Sequence, residues 1–93
     1  MHRLIFALLF CCTTAIANER QEICDSWKDI ARAAMVSRQA GVPLKTMLML
    51  VSDETAVGIL RAAYDQPRQE SKGGRQDSVD NFIELVVSEC LKS

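Results

Sequence analysis

The strongest constraint on the fold of this chain is a pair of cysteines, Cys24 and Cys90, placed near its two ends. The other two cysteines, Cys11 and Cys12, lie in an apolar N-terminal segment that we expect to be removed. An exported protein enters an oxidising compartment, where two cysteines typically form a disulfide. We therefore predict a Cys24–Cys90 disulfide, which would stabilise the fold by about 4 kcal/mol by restricting the unfolded chain.

Metal binding by two free thiols is the alternative use of these cysteines. Structural zinc sites need four ligands, usually cysteine and histidine. The only histidine is His2, which lies in the same N-terminal segment as Cys11 and Cys12. Since further ligands are lacking, we predict neither a metal ion nor a cofactor.

Residues 1–17 have the layout of a cleavable signal peptide. A basic start is followed by an apolar run over residues 4–12 and by Ala15-Ile16-Ala17, an A-x-A cleavage site. The run has about half of the ~20 apolar residues that a membrane-spanning helix needs, so we predict cleavage, no retained anchor, and export to the periplasm or secretion. Lipoprotein processing at Cys11 or Cys12 is the alternative, although their bulky neighbours argue against it.

Residues 18–93 then form a single small domain, near the size at which a hydrophobic core alone is barely sufficient. Removing the leader takes away Arg3 and no acid, so this domain is one unit more negative than the full chain, whose formal charge is −1. This balance gives no signal for a polyanionic partner, and we predict no binding to nucleic acid.

Apolar residues of this domain recur at intervals of three and four, which is typical of amphipathic helices, and no useful stretch alternates as a strand does. The sequence predicts an all-α fold, a small three- to four-helix bundle closed by one disulfide. The predicted helices span residues 22–40, 43–51, 54–66 and 78–91.

Glycine and proline mark the predicted helix boundaries. Gly41 is suited to end the first helix and Pro43 to begin the second, while Pro67 ends the third. A single bent helix over residues 43–66 is the alternative. Residues 68–76 contain no apolar side chain, so we predict a solvated, mobile loop there, followed by a helix cap at Asp77 or Ser78.

Candidate catalytic groups are few. Without histidine the domain lacks Ser-His-Asp and Cys-His catalysis. The pairs Asp25/Asp29 and Asp77/Asp80 have helical spacing suited to acid–base work, but solvated helix faces or helix caps explain them more simply. We predict that the protein is not an enzyme.

Two groups of residues are candidates for contact with a partner. Met47 and Met49 could form a pliable contact surface, although the apolar residues around the second helix favour burial on more than one side over an exposed patch. Arg68, Lys72 and Arg75 flank Gly73-Gly74 and could hold an anion, although no phosphate-loop pattern follows. Trp27 and Tyr64 are expected in the core, with the Tyr64 hydroxyl reaching solvent.

Several short motifs together resemble a family. Cys24-Asp25-Ser26-Trp27 opens the first helix, the segment 38–43 (RQAGVP) forms the first turn, and the segment 63–67 (AYDQP) closes the third helix. With Cys90 near the end, the chain resembles small exported helical proteins of Gram-negative bacteria and their phages or prophages, to which no activity is assigned. The resemblance implies export without naming a substrate.

Two functions fit these expectations, and a third does not. The first is a non-enzymatic protein that binds another periplasmic or extracellular protein, with inhibition of lysozyme or of superinfection as its most specific form. The second is an acid-stress periplasmic chaperone, in which protonation of carboxylates at low pH loosens the bundle and exposes apolar stripes. The third, a hydrolase using paired carboxylates, lacks a nucleophile and base.

Overall fold

The computed structural model describes the backbone of residues 2–92 and the side chains of residues 19–92. Its helices are α1 (His2–Ala40), α2 (Leu44–Leu48), α3 (Glu54–Tyr64) and α4 (Lys72–Lys92), with no strand in the described backbone. The predicted all-α bundle is confirmed. The predicted signal peptide, residues 1–17, lies outside the described side chains.

Helix α1 is the central element of the bundle. Helices α3 and α4 both pack against it, and the short α2 packs against α3 and α1. The buried core draws on all three long helices: Ala31, Ala34 and Met35 from α1, Ile59, Leu60 and Ala63 from α3, and Val79, Phe82, Ile83 and Val86 from α4. The two alanines of α1 let its neighbours approach closely, and Met35 and Leu60 are the largest side chains that become fully buried.

The predicted disulfide is present between Cys24 and Cys90, whose Cα atoms lie 5.6 Å apart. Both cysteines are buried. The bond joins α1 to the last turn of α4, so the two helices that pack most extensively are also joined covalently.

Gly41 ends α1 as the sequence predicts. Its φ of 84° lies in the left-handed region, which glycine adopts without steric cost. The Val42 N–H donates to the Ser37 carbonyl and the Gly41 N–H to the Arg38 carbonyl. These two bonds form a Schellman motif, which satisfies the last carbonyls of the helix and turns the chain toward α2.

The region after Gly41 forms two helices and not one bent helix. α2 stops at Leu48, three residues before the predicted end, because Met49 and Leu50 enter a turn. Asp53 then caps α3, its side chain accepting a hydrogen bond from the Ala56 N–H at 3.1 Å. The cap fixes the start of α3 at the predicted residue and separates it from α2.

The prediction for the start of α4 is wrong. The helix begins at Lys72, six residues before the expected Ser78, and neither Asp77 nor Ser78 caps it. Ser71 does so instead, since its Oγ accepts a hydrogen bond from the Gly74 N–H at 2.9 Å. This cap offsets part of the helix cost of about 1 kcal/mol that each glycine of the Gly73-Gly74 pair carries.

Candidate protein-binding surfaces

The connection between α3 and α4 is solvent-exposed over most of its length, as predicted, but hydrogen bonds tie its backbone to α1. Gln39, only 3% exposed, lies beneath it. Its Nε2 donates to the Pro67 carbonyl at 3.0 Å, and its Oε1 accepts from the Gln69 N–H at 2.7 Å. Arg38 Nε also donates to the Gln66 carbonyl at 3.0 Å. The last turn of α1 therefore fixes the path of this connection.

We expect the variant Gln39→Leu to lose about 1–3 kcal/mol of unfolding free energy, because the Pro67 carbonyl and the Gln69 N–H would lose their buried partner. Urea denaturation of the two proteins measures this difference. Gln76→Leu is the matched control, since Gln76 is exposed and bonds only to Asp80; its cost should stay within about 0.5 kcal/mol. Equal losses in the two variants would contradict a structural role for Gln39.

The three predicted basic contact residues have different environments. Arg68 Nη2 donates to the Gln39 carbonyl at 3.3 Å, and Arg75 donates through Nε and Nη2 to the Gln69 and Glu70 carbonyls at 3.0 Å each. These two guanidinium groups hold the backbone of the connection. Lys72 makes no hydrogen bond or ion pair to any other residue that the structure describes, so its ammonium group is free to meet a partner.

Tyr64 packs its ring partly against the core, as predicted. Its hydroxyl donates to the Val42 carbonyl at 2.6 Å and so ties α3 to the turn after α1. Burial raises the pKa of Tyr64, and the Arg38 guanidinium, 5.6 Å from the ring centroid, acts in the opposite direction. The group therefore serves as a neutral donor within the fold. Trp27 packs against the core, as predicted.

Among residues 19–92, the most exposed large apolar side chains are Met49, at 79%, and Leu50, at 73%. We call this pair the apolar tip. Its exposure corrects the expectation that these residues are buried, and the physical reason is the early end of α2, which turns both side chains away from the core. Met47 remains on the helix and packs partly against the core. Leu50 was not among the predicted contact residues. The sequence signal for it is its position beside Met49, which widens the apolar face of the second helix.

A second surface is an open groove of about 540 Å³ between α1 and α4. Val36 and Ala40 of α1 and Val79 of α4 give it an apolar lining, and Lys72 and Arg75 lie at the same site. We call it the α1–α4 groove. The sequence predicted contact residues Lys72 and Arg75 on its α4 side but not the groove itself, whose α1 side includes Val36, an apolar residue that is 49% exposed.

The candidate carboxylate pairs occupy solvated helix faces. Asp25, Asp29, Asp77 and Asp80 are all exposed, as are the other eight carboxylates of the chain. Asp29 Oδ1 lies 3.7 Å from Arg32 Nη1, and Asp80 Oδ1 accepts a hydrogen bond from Gln76 Nε2. Among the described residues no three histidine, cysteine or acidic side chains cluster as metal ligands would.

None of the helices, over the part of the chain that the structure describes, has the length and apolar character needed to cross a bilayer. In comparisons with protein-family models, curated proteins and solved structures, the chain matches none of them. Its function therefore has to be inferred from the surfaces that the fold exposes.

Proposed function

We propose that this chain is exported to the periplasm or secreted and acts there as a non-enzymatic domain that binds another protein through the apolar tip. The exposure of Met49 and Leu50 is the observation that carries the proposal. Each large apolar side chain left in water forgoes about 1.5–3 kcal/mol that burial would supply. A partner with an apolar pocket recovers this free energy on binding.

The backbone around the tip favours binding because it is already ordered. The Met49 N–H donates to the Lys45 carbonyl, and the Leu50 N–H donates to the Met47 carbonyl. The capped start of α3 follows three residues after Leu50. A loop that becomes ordered only on binding loses conformational entropy, which weakens the affinity. These hydrogen bonds already order the tip, so that entropy cost is small. The flexible thioether of Met49 lets the tip adapt to the shape of a pocket.

Export is supported by the disulfide together with the leader-like N-terminus. A structural disulfide between buried cysteines is typical of an oxidising compartment. Such a compartment holds enzymes and envelope proteins with clefts that an apolar tip could enter. Inhibition of lysozyme or of superinfection is a specific form of this proposal.

No specific observation favours the alternative function, that of an acid-stress chaperone. In that mechanism, protonation at low pH must disturb the native packing. All twelve carboxylates of the chain are exposed, so neutralising them removes solvated charges and uncovers no buried group. The protein-binding proposal rests instead on two side chains whose exposure is already present in the folded state.

Site-specific photo-crosslinking tests the proposal. A photoreactive amino acid is placed at Leu50 in the full chain, which is expressed with its own N-terminal sequence in a Gram-negative host. The matched control carries it at Leu85, an α4 residue that is 54% exposed. We expect a discrete crosslinked protein from position 50 and not from position 85, because only the tip enters a partner's pocket. Identical products from both positions, or none from position 50, would contradict the proposal.

A further inference from the structure

We propose that the α1–α4 groove of one copy of the chain receives the apolar tip of a second copy, so that the protein associates with itself head to tail. The inference rests on the proposed function, because the tip is the binding element in both, and it adds a second copy of the chain as a further partner of the tip. It links two of the exposed apolar surfaces of the described residues.

The groove matches the tip in size and polarity. Its volume of about 540 Å³ falls within the range of roughly 300–1,000 Å³ of pockets that hold apolar groups. Val36, Ala40 and Val79 supply apolar contacts for a methionine and a leucine side chain. At Gly73, which also lines the groove, a Cβ atom would meet nothing within 4 Å, so the approach on this side is open.

The groove has basic residues at its side and the segment after the tip has acidic ones, while Lys45, exposed one turn before Met49, is basic. Lys72, with no partner among the described residues, and Arg75 lie at the groove. The tip is followed by Asp53 and Glu54, which are both exposed. Asp53 is occupied as the cap of α3, whereas Glu54 has no ion pair in the described part of the chain. Placing the tip in the groove brings this acidic segment toward the basic side, which favours the encounter and fixes its direction.

The two surfaces belong to different parts of the molecule. α2 precedes the tip and packs against α3 and α1, whereas the groove lies between α1 and α4. Neither tip residue lines the groove of its own molecule. A head-to-tail contact leaves one free tip and one free groove on every pair, so further copies can add.

The contact is small, so the association should be weak. Two side chains in one groove bury far less than the ~1,200 Å² of a stable protein interface. We therefore expect a protein that is monomeric when dilute and whose average mass rises with concentration. This behaviour leaves the tip free for another protein at low concentration.

Sedimentation equilibrium of the full chain, from about 10 μM to about 1 mM, tests the inference. We expect the weight-average mass of the unmodified protein to rise through this range. Leu50→Ser removes one of the two apolar side chains of the tip and Lys72→Glu reverses the charge of a groove residue, so each variant should associate at least about tenfold more weakly. Both positions are exposed, and circular dichroism confirms that each variant keeps its helices.

An equimolar mixture of the two variants gives the sharpest result. The Lys72→Glu chain keeps an intact tip, and the Leu50→Ser chain keeps an intact groove. Head-to-tail association predicts that the mixture forms dimers and nothing larger, because each pair has only one working interface. Self-association of the unmodified protein without dimers in the mixture would overturn the inference, since another surface would then be responsible.

A protein that stays monomeric up to about 1 mM would also overturn the inference. It would leave the proposed function intact, because crosslinking from Leu50 to a different protein does not depend on self-association. Conversely, crosslinks from Leu50 that contain only a second copy of the chain would support the inference and contradict binding to a foreign partner.

Discussion

Cys24→Ser and Cys90→Ser are each expected to lower the free energy of unfolding by about 4 kcal/mol, and the double variant to be little worse than either. The bond spans a sequence separation of 66 residues, so its loss releases a long loop in the unfolded chain. The total free energy of unfolding of a typical domain is only ~5–15 kcal/mol. Thermal unfolding of the variants with a reductant present, which prevents new bonds between chains, is compared with that of the unmodified protein without reductant, and the difference measures the loss.

The unmodified protein supplies the control for this prediction. Once reduced, it should melt at the same temperature as the double variant, because both then lack the same covalent link. Clearly different melting temperatures for the two single variants under reduction would show that one cysteine has a role beyond the pair.

Leu60→Ala is expected to destabilise the fold by about 2–5 kcal/mol, because the side chain is only 2% exposed and its loss leaves a cavity among α1, α3 and α4. Leu50→Ala removes the same atoms from a residue that is 73% exposed. It should change the stability by less than about 0.5 kcal/mol. Urea denaturation of this matched pair compares the two sites.

The comparison separates residues that hold the fold from residues that serve binding. A cost at Leu50 similar to that at Leu60 would mean that the tip is packed in solution. The tip would then be part of the core, and its proposed role in binding would be lost.

Much of the fold could be predicted because the signals for it are local. The three-and-four spacing of Met35, Leu60 and Phe82 with their neighbours marks the buried faces of α1, α3 and α4. Gly41 and Asp53 each act through hydrogen bonds within a few residues. The disulfide followed from the number of cysteines in the predicted compartment, with no knowledge of how the helices pack.

The misplaced start of α4 arose from contacts that are distant in sequence. A polar segment with a glycine pair normally indicates a loop. Here Gln39, at the end of α1, binds Pro67 and Gln69 and positions the connection that leads to the Ser71 cap. Within residues 68–76 the signal for the earlier start is Ser71, a residue type typical of helix N-caps, whereas the Gln39 contacts leave no pattern there.

The candidate surfaces were predicted only in part, for a related reason. Helical periodicity places Met49 and Leu50 on a stripe, but their exposure depends on α2 ending at Leu48. The groove depends on the space that remains between two packed helices at Val36 and Val79. Among the predicted basic residues, the sequence could not distinguish the free Lys72 from Arg68 and Arg75, whose partners are backbone carbonyls.

The claim that the apolar tip serves binding and not folding is tested most directly with the double variant Met49→Ser/Leu50→Ser. Its affinity for the protein crosslinked from position 50 is measured together with its melting temperature. We expect the melting temperature to stay within about 4 °C of the unmodified protein, while binding weakens at least about a hundredfold through the loss of two apolar side chains. Undiminished binding by this variant would contradict the claim.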